Sequence, residues 1–204
     1  MDAKVKERVI RIATDLFLRY GIKAITMDYI AGQLGMSKRT LYEIFKDKDS
    51  LLLSCVQHVD EERVKEVEEI KKKTTNSIEL FLSVYQRSLQ KLRCTNQNYF
   101  SDLKKYHPSV FVYYEANKEK NLQNFIMLLE QGMNEGYIRK ELNVEIISFL
   151  LSAQLELLIK SNDIYLNKYS FMEVFETIVM NFVRGIATPK GVAFIDEFVN
   201  RNSI

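Results

Sequence analysis

Apolar residues recur every three or four positions along most of the chain, which is the spacing of one face of an α-helix. With only two prolines and seven glycines in 204 residues, the composition favours long helices joined by short connections. The pattern therefore predicts an all-α protein, with the following helices: 2–20, two short ones within 26–46, 47–73, 78–93, 99–106, one ending near 134, 143–160, 170–188, and a short one in the tail 190–204.

The two short helices lie in the stretch TMDYIAGQLGMSKRTLYEIFKDKDSLLL, residues 26–53. Thr26 can accept hydrogen bonds from the first turn of one helix, and Ser37 can do the same for the next. Gly35 ends the first helix, since glycine adopts a positive φ at little cost. Two short helices joined by a glycine-containing turn are typical of a DNA-binding helix-turn-helix.

The second short helix has distinct faces at about 100° per residue. Leu41 and Phe45 share one direction and form the predicted buried side. The opposite face carries Arg39, Glu43 and Lys46, and the flanks carry Thr40 and Tyr42. Such a face offers charges and hydroxyls for phosphates and long polar side chains for base edges. A solvated helix in an unrelated all-α protein has a similar face, so periodicity alone leaves both interpretations open.

The run from Thr26 to Leu52, with its Thr-Leu-Tyr-x-x-Phe-Lys-x-Lys core at residues 40–48, resembles the N-terminal domain of the TetR family of bacterial transcriptional repressors. The resemblance includes the first helix and covers about 55 residues. It implies a homodimer with a small DNA-binding domain and a larger helical domain that dimerises and binds an inducer. It also implies DNA contacts from Thr26, Lys38, Arg39, Thr40, Tyr42 and Lys46.

Two positions depart from the family pattern. Glu43 and Ile44 stand where uncharged, aromatic or basic residues are usual in the family, so no base preference carries over. We include Glu43 among the predicted DNA-binding residues because of its outward position.

The charge distribution agrees with this placement. Residues 1–54 contain ten Lys or Arg and seven Asp or Glu, a net charge of +3, whereas the chain as a whole has a net charge of +2. The remaining residues therefore have a net charge of −1. The positive excess lies in the segment with the motif, as attraction to phosphates requires. Lys4, Lys6 and Arg8, near the start of the first helix, could contact a DNA backbone or be solvated.

The predicted domains are a helix-turn-helix domain at 1–46 and a helical effector-binding and dimerisation domain at 47–204. In the second domain, the helix at 143–160 is apolar around nearly its whole circumference, and the helix at 170–188 has one broad apolar stripe. Together they have more apolar surface than one bundle core can use. This excess predicts a symmetric dimer interface that takes two helices from each subunit.

Side chains that are aromatic with a polar tip, or polar within an apolar helix, are candidates for a small-molecule site between helices. They can equally be ordinary packing residues. The candidate ligand-binding residues are Tyr85, Tyr106, Tyr113, Tyr114, Phe125 and Gln154.

Enzymatic chemistry is not indicated. His58 and His107 are far apart in sequence, and glycine-rich nucleotide loops are not found, so we expect no catalytic residues and no cofactor. Cys55 and His58 have a spacing that two metal ligands could use, but such a lone pair is more often part of a core, and we expect no metal. The chain has no apolar run long enough to span a bilayer, which predicts a cytoplasmic protein that does not contact membranes.

The sequence therefore predicts a homodimeric repressor that binds a palindromic DNA operator and is released by a small-molecule effector. One alternative is a DNA-binding regulator without an effector. The other, from a different class, is a helical enzyme or protein-interaction bundle whose resemblance to the family is accidental.

Overall fold

The fold is all-α, as predicted. The computed structural model describes residues 3–160 and 169–202, without the side chains of residues 159 and 160. The ends of two predicted segments, Asp2 and residues 203–204, lie outside this range. The described residues form the following helices: α1 (Ala3–Tyr20), α2 (Met27–Leu34), α3 (Lys38–Ile44), α4 (Lys48–Lys71), α5 (Ser77–Arg93), α6 (Tyr99–Tyr106), α7 (Pro108–Asn134), α8 (Val144–Lys160), α9 (Phe171–Ile186) and α10 (Pro189–Asn202).

Short polar side chains begin several of these helices, as the sequence predicts. Asn143 accepts from the backbone N–H of Ile146 at 3.1 Å and caps α8. Ser170 and Glu173 form a reciprocal capping box at α9. Because each cap satisfies backbone donors that have no partner within the helix, the boundaries can be read from the sequence.

Three glycines end helices or turns with a positive φ: Gly21 at 84°, Gly35 at 65° and Gly136 at 77°. At Gly21 the requirement is also steric, because an added Cβ would lie 3.2 Å from Oδ1 of Asn96. Glycine therefore allows the turn after α1 to approach the segment that precedes α6.

The chain divides into two compact units. Unit 1 comprises residues 1–67 and 91–117, and unit 2 comprises residues 68–90 and 118–204. Unit 1 thus extends beyond the predicted helix-turn-helix domain and takes in most of α4, all of α6 and the start of α7. The functional boundary after residue 46 stays a prediction.

The core of unit 1 joins the helix-turn-helix to its neighbours. Phe17, Ile30 and Leu41 are buried with Leu52 of α4 and Leu103 of α6. Polar contacts connect the same elements: the backbone N–H of Lys23 donates to Asp102 at 2.8 Å, and that of Asn96 donates to the carbonyl of Leu18 at 2.6 Å. The small three-helix head shares one core with α4, α6 and the start of α7.

Unit 2 is built from the end of α4, most of α5, the second part of α7, and α8 to α10. Phe81, Phe125 and Phe182 form a cluster with ring centroids 5.6 to 6.4 Å apart. The predicted tail helix is α10, where Ile195 and Phe198 are buried in the same core as α5 and α9 residues. None of the helices in the described part of the chain is long and apolar enough to cross a membrane.

Two lysines of the Phe-Lys-x-Lys motif have different surroundings. Lys46 is exposed, whereas Lys48 is partly buried. Lys48 donates through Nζ to the carbonyl of Ile22, and its ammonium lies 5.7 Å from the ring centre of Phe17. Desolvation lowers the pKa of Lys48. Lys48 therefore holds the turn between α1 and α2 against the start of α4.

We predict that Lys48→Met lowers the free energy of unfolding by about 1–3 kcal/mol, because Ile22 loses a charged hydrogen-bond donor while the aliphatic stem is retained. Lys46→Met makes the same chemical change at an exposed position and should stay within about 0.5 kcal/mol of the wild type. Urea unfolding of the two variants measures the difference. Equal stabilities would contradict the structural role of Lys48.

Candidate nucleic-acid interface

The turn between α2 and α3 has the form expected of a helix-turn-helix. Gly35 is left-handed, and the backbone N–H of Met36 donates to the carbonyl of Ala31 at 3.0 Å. Ser37 then caps α3 by accepting from the backbone N–H of Thr40 at 3.1 Å. At the start of α2, Thr26 accepts from Tyr29 N–H at 3.1 Å. Both caps are those predicted from the sequence, so helix ends and turn are fixed by local chemistry.

The two faces of α3 separate as predicted. Leu41 is fully buried, and Phe45 is also buried, one position beyond the end of the helix. All seven predicted DNA-binding residues are exposed: Thr26, Lys38, Arg39, Thr40, Tyr42, Glu43 and Lys46. Six of them lie on α3 or just after it, and Thr26 lies at the start of α2. The geometry thus brings these groups to the exposed side of one helix-turn-helix.

Lys38 has an acidic partner that the sequence did not indicate. Its ammonium lies 2.8 Å from Oδ1 of Asp28 and 5.9 Å from the ring centre of Tyr42. The hydrogen bond from Lys38 to Asp28 raises the pKa of the lysine. Asp28 lies on α2, ten positions before Lys38, so only the angle between the two helices brings them together. A phosphate would have to replace Asp28 as the partner of Lys38.

Arg39 and Glu43 form a second ion pair, along α3 itself. Nε of Arg39 lies 3.0 Å from Oε1 of Glu43, and the arginine side chain is 89% exposed. Their separation of four positions already permits this pair in the sequence. The Nη groups of Arg39 are directed to no partner among the described residues, so the planar end of the guanidinium is available.

The start of α1 contributes to packing around the motif. Nη2 of Arg8 donates to the carbonyl of Leu34 at 3.3 Å, at the end of α2. The ammonium of Lys6 lies 5.7 Å from the ring centre of Phe45. Arg8 therefore stabilises the end of α2. The sequence analysis considered only a DNA backbone contact or a solvated side chain for this residue.

The six candidate ligand-binding residues are divided between the units. Tyr85, Phe125 and Gln154 belong to unit 2, whereas Tyr106, Tyr113 and Tyr114 belong to unit 1. Tyr85 is buried and stacks on Phe175 with ring centroids 6.0 Å apart, and Gln154 is exposed on α8.

The three candidates in unit 1 differ in their surroundings. Tyr106 is exposed, with the ammonium groups of Lys23 and Lys105 each 5.3 Å from its ring centre. A hydrogen bond from Lys23 lowers the pKa of Tyr106. Tyr113 and Tyr114 pack against the core of unit 1, and burial raises the pKa of Tyr114.

The exposed apolar surface is concentrated on α8 more than on α9. The α9 residues Phe175, Val179, Val183 and Ile186 are buried within unit 2. On α8, by contrast, four large apolar side chains are each more than half exposed: Ile146, Phe149, Leu150 and Leu157. The spacing of these four residues, which we call the α8 face, puts them on one side of the helix. Sequence periodicity showed that α8 is apolar all round, but not which side the chain itself covers.

Comparison with known proteins supports the interpretation of the N-terminal segment. Residues 9–55 match the family described as bacterial regulatory proteins, tetR family. The HTH-type transcriptional regulator YerO of Bacillus subtilis (strain 168), itself uncharacterized, is 42% identical over 53 residues. This match covers 26% of the chain and 18% of the relative, so the chain spans less than a fifth of the length of this curated relative.

Solved structures extend the similarity to most of the chain. A TetR-family regulator from Agrobacterium tumefaciens has a TM-score of 0.74 at 14% identity, covering 92% of this chain and 100% of that one. A candidate transcriptional regulator from Saccharomonospora viridis, solved in complex with choline, has a TM-score of 0.73 at 16% identity with the same coverage. At these identities the structures define the fold alone. Residues 9–55 are thus similar to the DNA-binding segment of the tetR family of bacterial regulatory proteins, and the chain has the helical fold of TetR-family regulators.

Proposed function

We propose that the protein is a homodimeric transcriptional repressor that binds a palindromic DNA operator and is released by a small-molecule effector. The observation that carries this proposal is the exposed polar face of α3, held by the caps of a helix-turn-helix whose sequence matches the tetR family. In a dimer, two copies of α3 would enter successive major grooves about 34–36 Å apart. That arrangement requires an operator with two related half-sites.

The DNA-binding residues have different proposed roles. Thr26 lies at the start of α2, Lys46 follows α3, and Thr40 and Tyr42 flank the exposed face of α3. These four would contact phosphates, which position the protein without reading sequence. Lys38 would join them by exchanging Asp28 for a phosphate. Arg39 and Glu43 lie centrally on α3 and would face base edges.

Lys46→Ala should weaken binding to all DNA sequences alike and lower the slope of log K against log salt by about one unit for each protomer bound. Lys46 is exposed and has no ion pair within the described residues, so the loss reflects the DNA contact. The measurement is a titration of the DNA that flanks the protein's own coding region, at several salt concentrations.

The control is Lys140→Ala, which removes the same charge from an exposed position in unit 2. It should leave the salt slope unchanged. A Lys46 variant that altered base preference alone would show that this residue reads bases, and wild-type protein that bound no DNA at all would contradict the proposed function.

Dimerisation is proposed to cover the α8 face. In soluble proteins, a contiguous exposed apolar patch of this kind marks an interaction surface. Covering it with a second copy would give a symmetric interface in which α8 meets its own counterpart, alongside exposed parts of α9. The exposed side of α9 is mostly polar, with Glu173, Thr177, Asn181 and Arg184.

Phe149→Glu should weaken the dimer, because each protomer would bury an unpaired carboxylate at a cost of about 3 kcal/mol or more. The dissociation constant should rise more than about 100-fold. Sedimentation velocity across a concentration series measures it. Val112→Glu, which makes a similar change at an exposed apolar residue of unit 1, should leave the dimer unchanged; the opposite order would place the interface elsewhere.

Effector binding is proposed for unit 2, around the buried Tyr85, which stacks on Phe175, and the partly buried Phe125, which lies against Phe81. Gln154 is a further candidate on α8, and Tyr106, Tyr113 and Tyr114 are candidates in unit 1. The choline-bound structure supports the idea that this fold accommodates small molecules. An effector can release DNA only if it binds better to a conformation with lower DNA affinity.

A small, largely apolar effector should therefore raise the melting temperature of the dimer and lower its DNA affinity. By linkage, DNA should lower effector affinity by the same factor. Thermal melting and DNA titration over one compound panel test both effects. Compounds that raise the melting temperature but leave DNA affinity unchanged would favour the alternative of a regulator without an effector.

A further inference from the structure

The ion pair between Arg39 and Glu43 lies on the exposed face of α3 that is proposed to read DNA. Nε of Arg39 donates to Oε1 of Glu43 at 3.0 Å, and the side chains are 89% and 58% exposed. So exposed a pair contributes little to folding. Its effect is instead to fix the direction of a long side chain that would otherwise sample many rotamers.

The ion pair leaves the end of the Arg39 guanidinium available to donate hydrogen bonds to a base. A guanidinium has five N–H donors, one on Nε and two on each Nη. Glu43 contacts the Nε side, so the pair of N–H groups at the end of the guanidinium, one from each Nη, points away from the carboxylate. Guanine presents two acceptors, N7 and O6, in the major groove, and an arginine can donate to both at once.

The neighbouring cation is held differently. Lys38 pairs with Asp28 of α2 and lies near the ring of Tyr42 on α3, so it does not compete for Glu43. Without Arg39, the Glu43 carboxylate would face DNA phosphates of its own sign. It therefore needs a donor at the interface, and the two available classes are the Arg39 guanidinium and the N4 amino group of cytosine.

We propose that Glu43 is a positioning residue that orients Arg39 to read a guanine in each half-site. The inference rests on the proposed function, because it requires α3 to lie in a major groove. Arg39 contacts the base, and Glu43 acts through Arg39 by holding Nε. Pairing before binding reduces the side-chain freedom that must be lost on contact with DNA.

The test begins with sequences selected by the wild-type protein from a randomised duplex library. Affinities are then measured for the best operator and for its single-base variants at every half-site position. Arg39→Ala identifies the guanine that Arg39 reads, as the position where preference disappears. Glu43→Ala should reduce preference at that same guanine by about tenfold and leave the other positions unchanged.

Two further variants separate position from charge. Glu43→Gln retains an acceptor of the same shape without the charge, and should give an intermediate preference at that guanine. Asp15→Asn removes one negative charge from an exposed site on α1. It should raise affinity for unrelated DNA no more than Glu43→Gln does, with no change in base preference.

The double variant Arg39→Ala, Glu43→Ala tests whether the two residues act together. It should show no further loss of preference at the guanine beyond that of Arg39→Ala.

Other outcomes overturn the proposal in recognisable ways. Loss of preference only at a cytosine would mean that Glu43 reads that base itself. Unchanged preference in Glu43→Ala, or a loss that adds to that of Arg39→Ala, would leave the ion pair without a role in recognition. Wild-type protein that selected no sequence from the library would instead refute the proposed function. Thermal melting confirms that each variant is folded.

Discussion

The structure depends on one constraint: the helix-turn-helix cannot bury a sufficient core by itself. A segment of about 46 residues has too much surface for its volume, and such small domains are marginal without additional contacts. Here the missing apolar surface comes from Leu51 and Leu52 of α4, Leu103 of α6 and Val110 of α7. The position of α3 is consequently set by helices outside the DNA-binding motif. Unit 1 is a structural unit larger than the predicted DNA-binding domain.

This shared core would give the proposed effector a physical route to the helix-turn-helix. α4, α5 and α7 each contribute residues to both units, so an effector that moved these helices in unit 2 would act on helices that also belong to unit 1. At the junction of α6 and α7, Nδ1 of the buried His107 lies 2.6 Å from Oδ1 of Asp49 in the first turn of α4. A conformation that separated this pair would remove a polar contact between α4 and the α6–α7 junction, which both pack against the three-helix head. The proposed effector would need to prefer such a conformation by only about 1–3 kcal/mol, the usual size of allosteric coupling.

The sequence predicted what local chemistry determines. The caps Thr26 and Ser37, the left-handed Gly35 and the buried Leu41 follow from residue type and spacing, and they place α2 and α3 almost to the residue. Contacts between elements were not predictable, because they depend on how helices cross. Such contacts include those that Lys38 makes with Asp28 and Lys48 with Ile22. How the candidate tyrosines divide between the two units was likewise not predictable. Periodicity likewise identified α8 as apolar all round, but only the packing of α9 revealed which side of α8 remains uncovered.

The charges of the proposed interface suggest how it would balance affinity against selectivity. Of the three cations among the seven predicted contacts, Lys38 and Arg39 are already paired with Asp28 and Glu43. Nonspecific affinity grows with the number of phosphates that cations neutralise, and a cation that must first leave a carboxylate contributes less to it. Base recognition by Arg39 does not incur that cost if Glu43 remains in place, because the guanidinium can donate to both partners at once. Carboxylates on a DNA-binding face, unfavourable for affinity alone, can thus widen the difference between the operator and all other DNA.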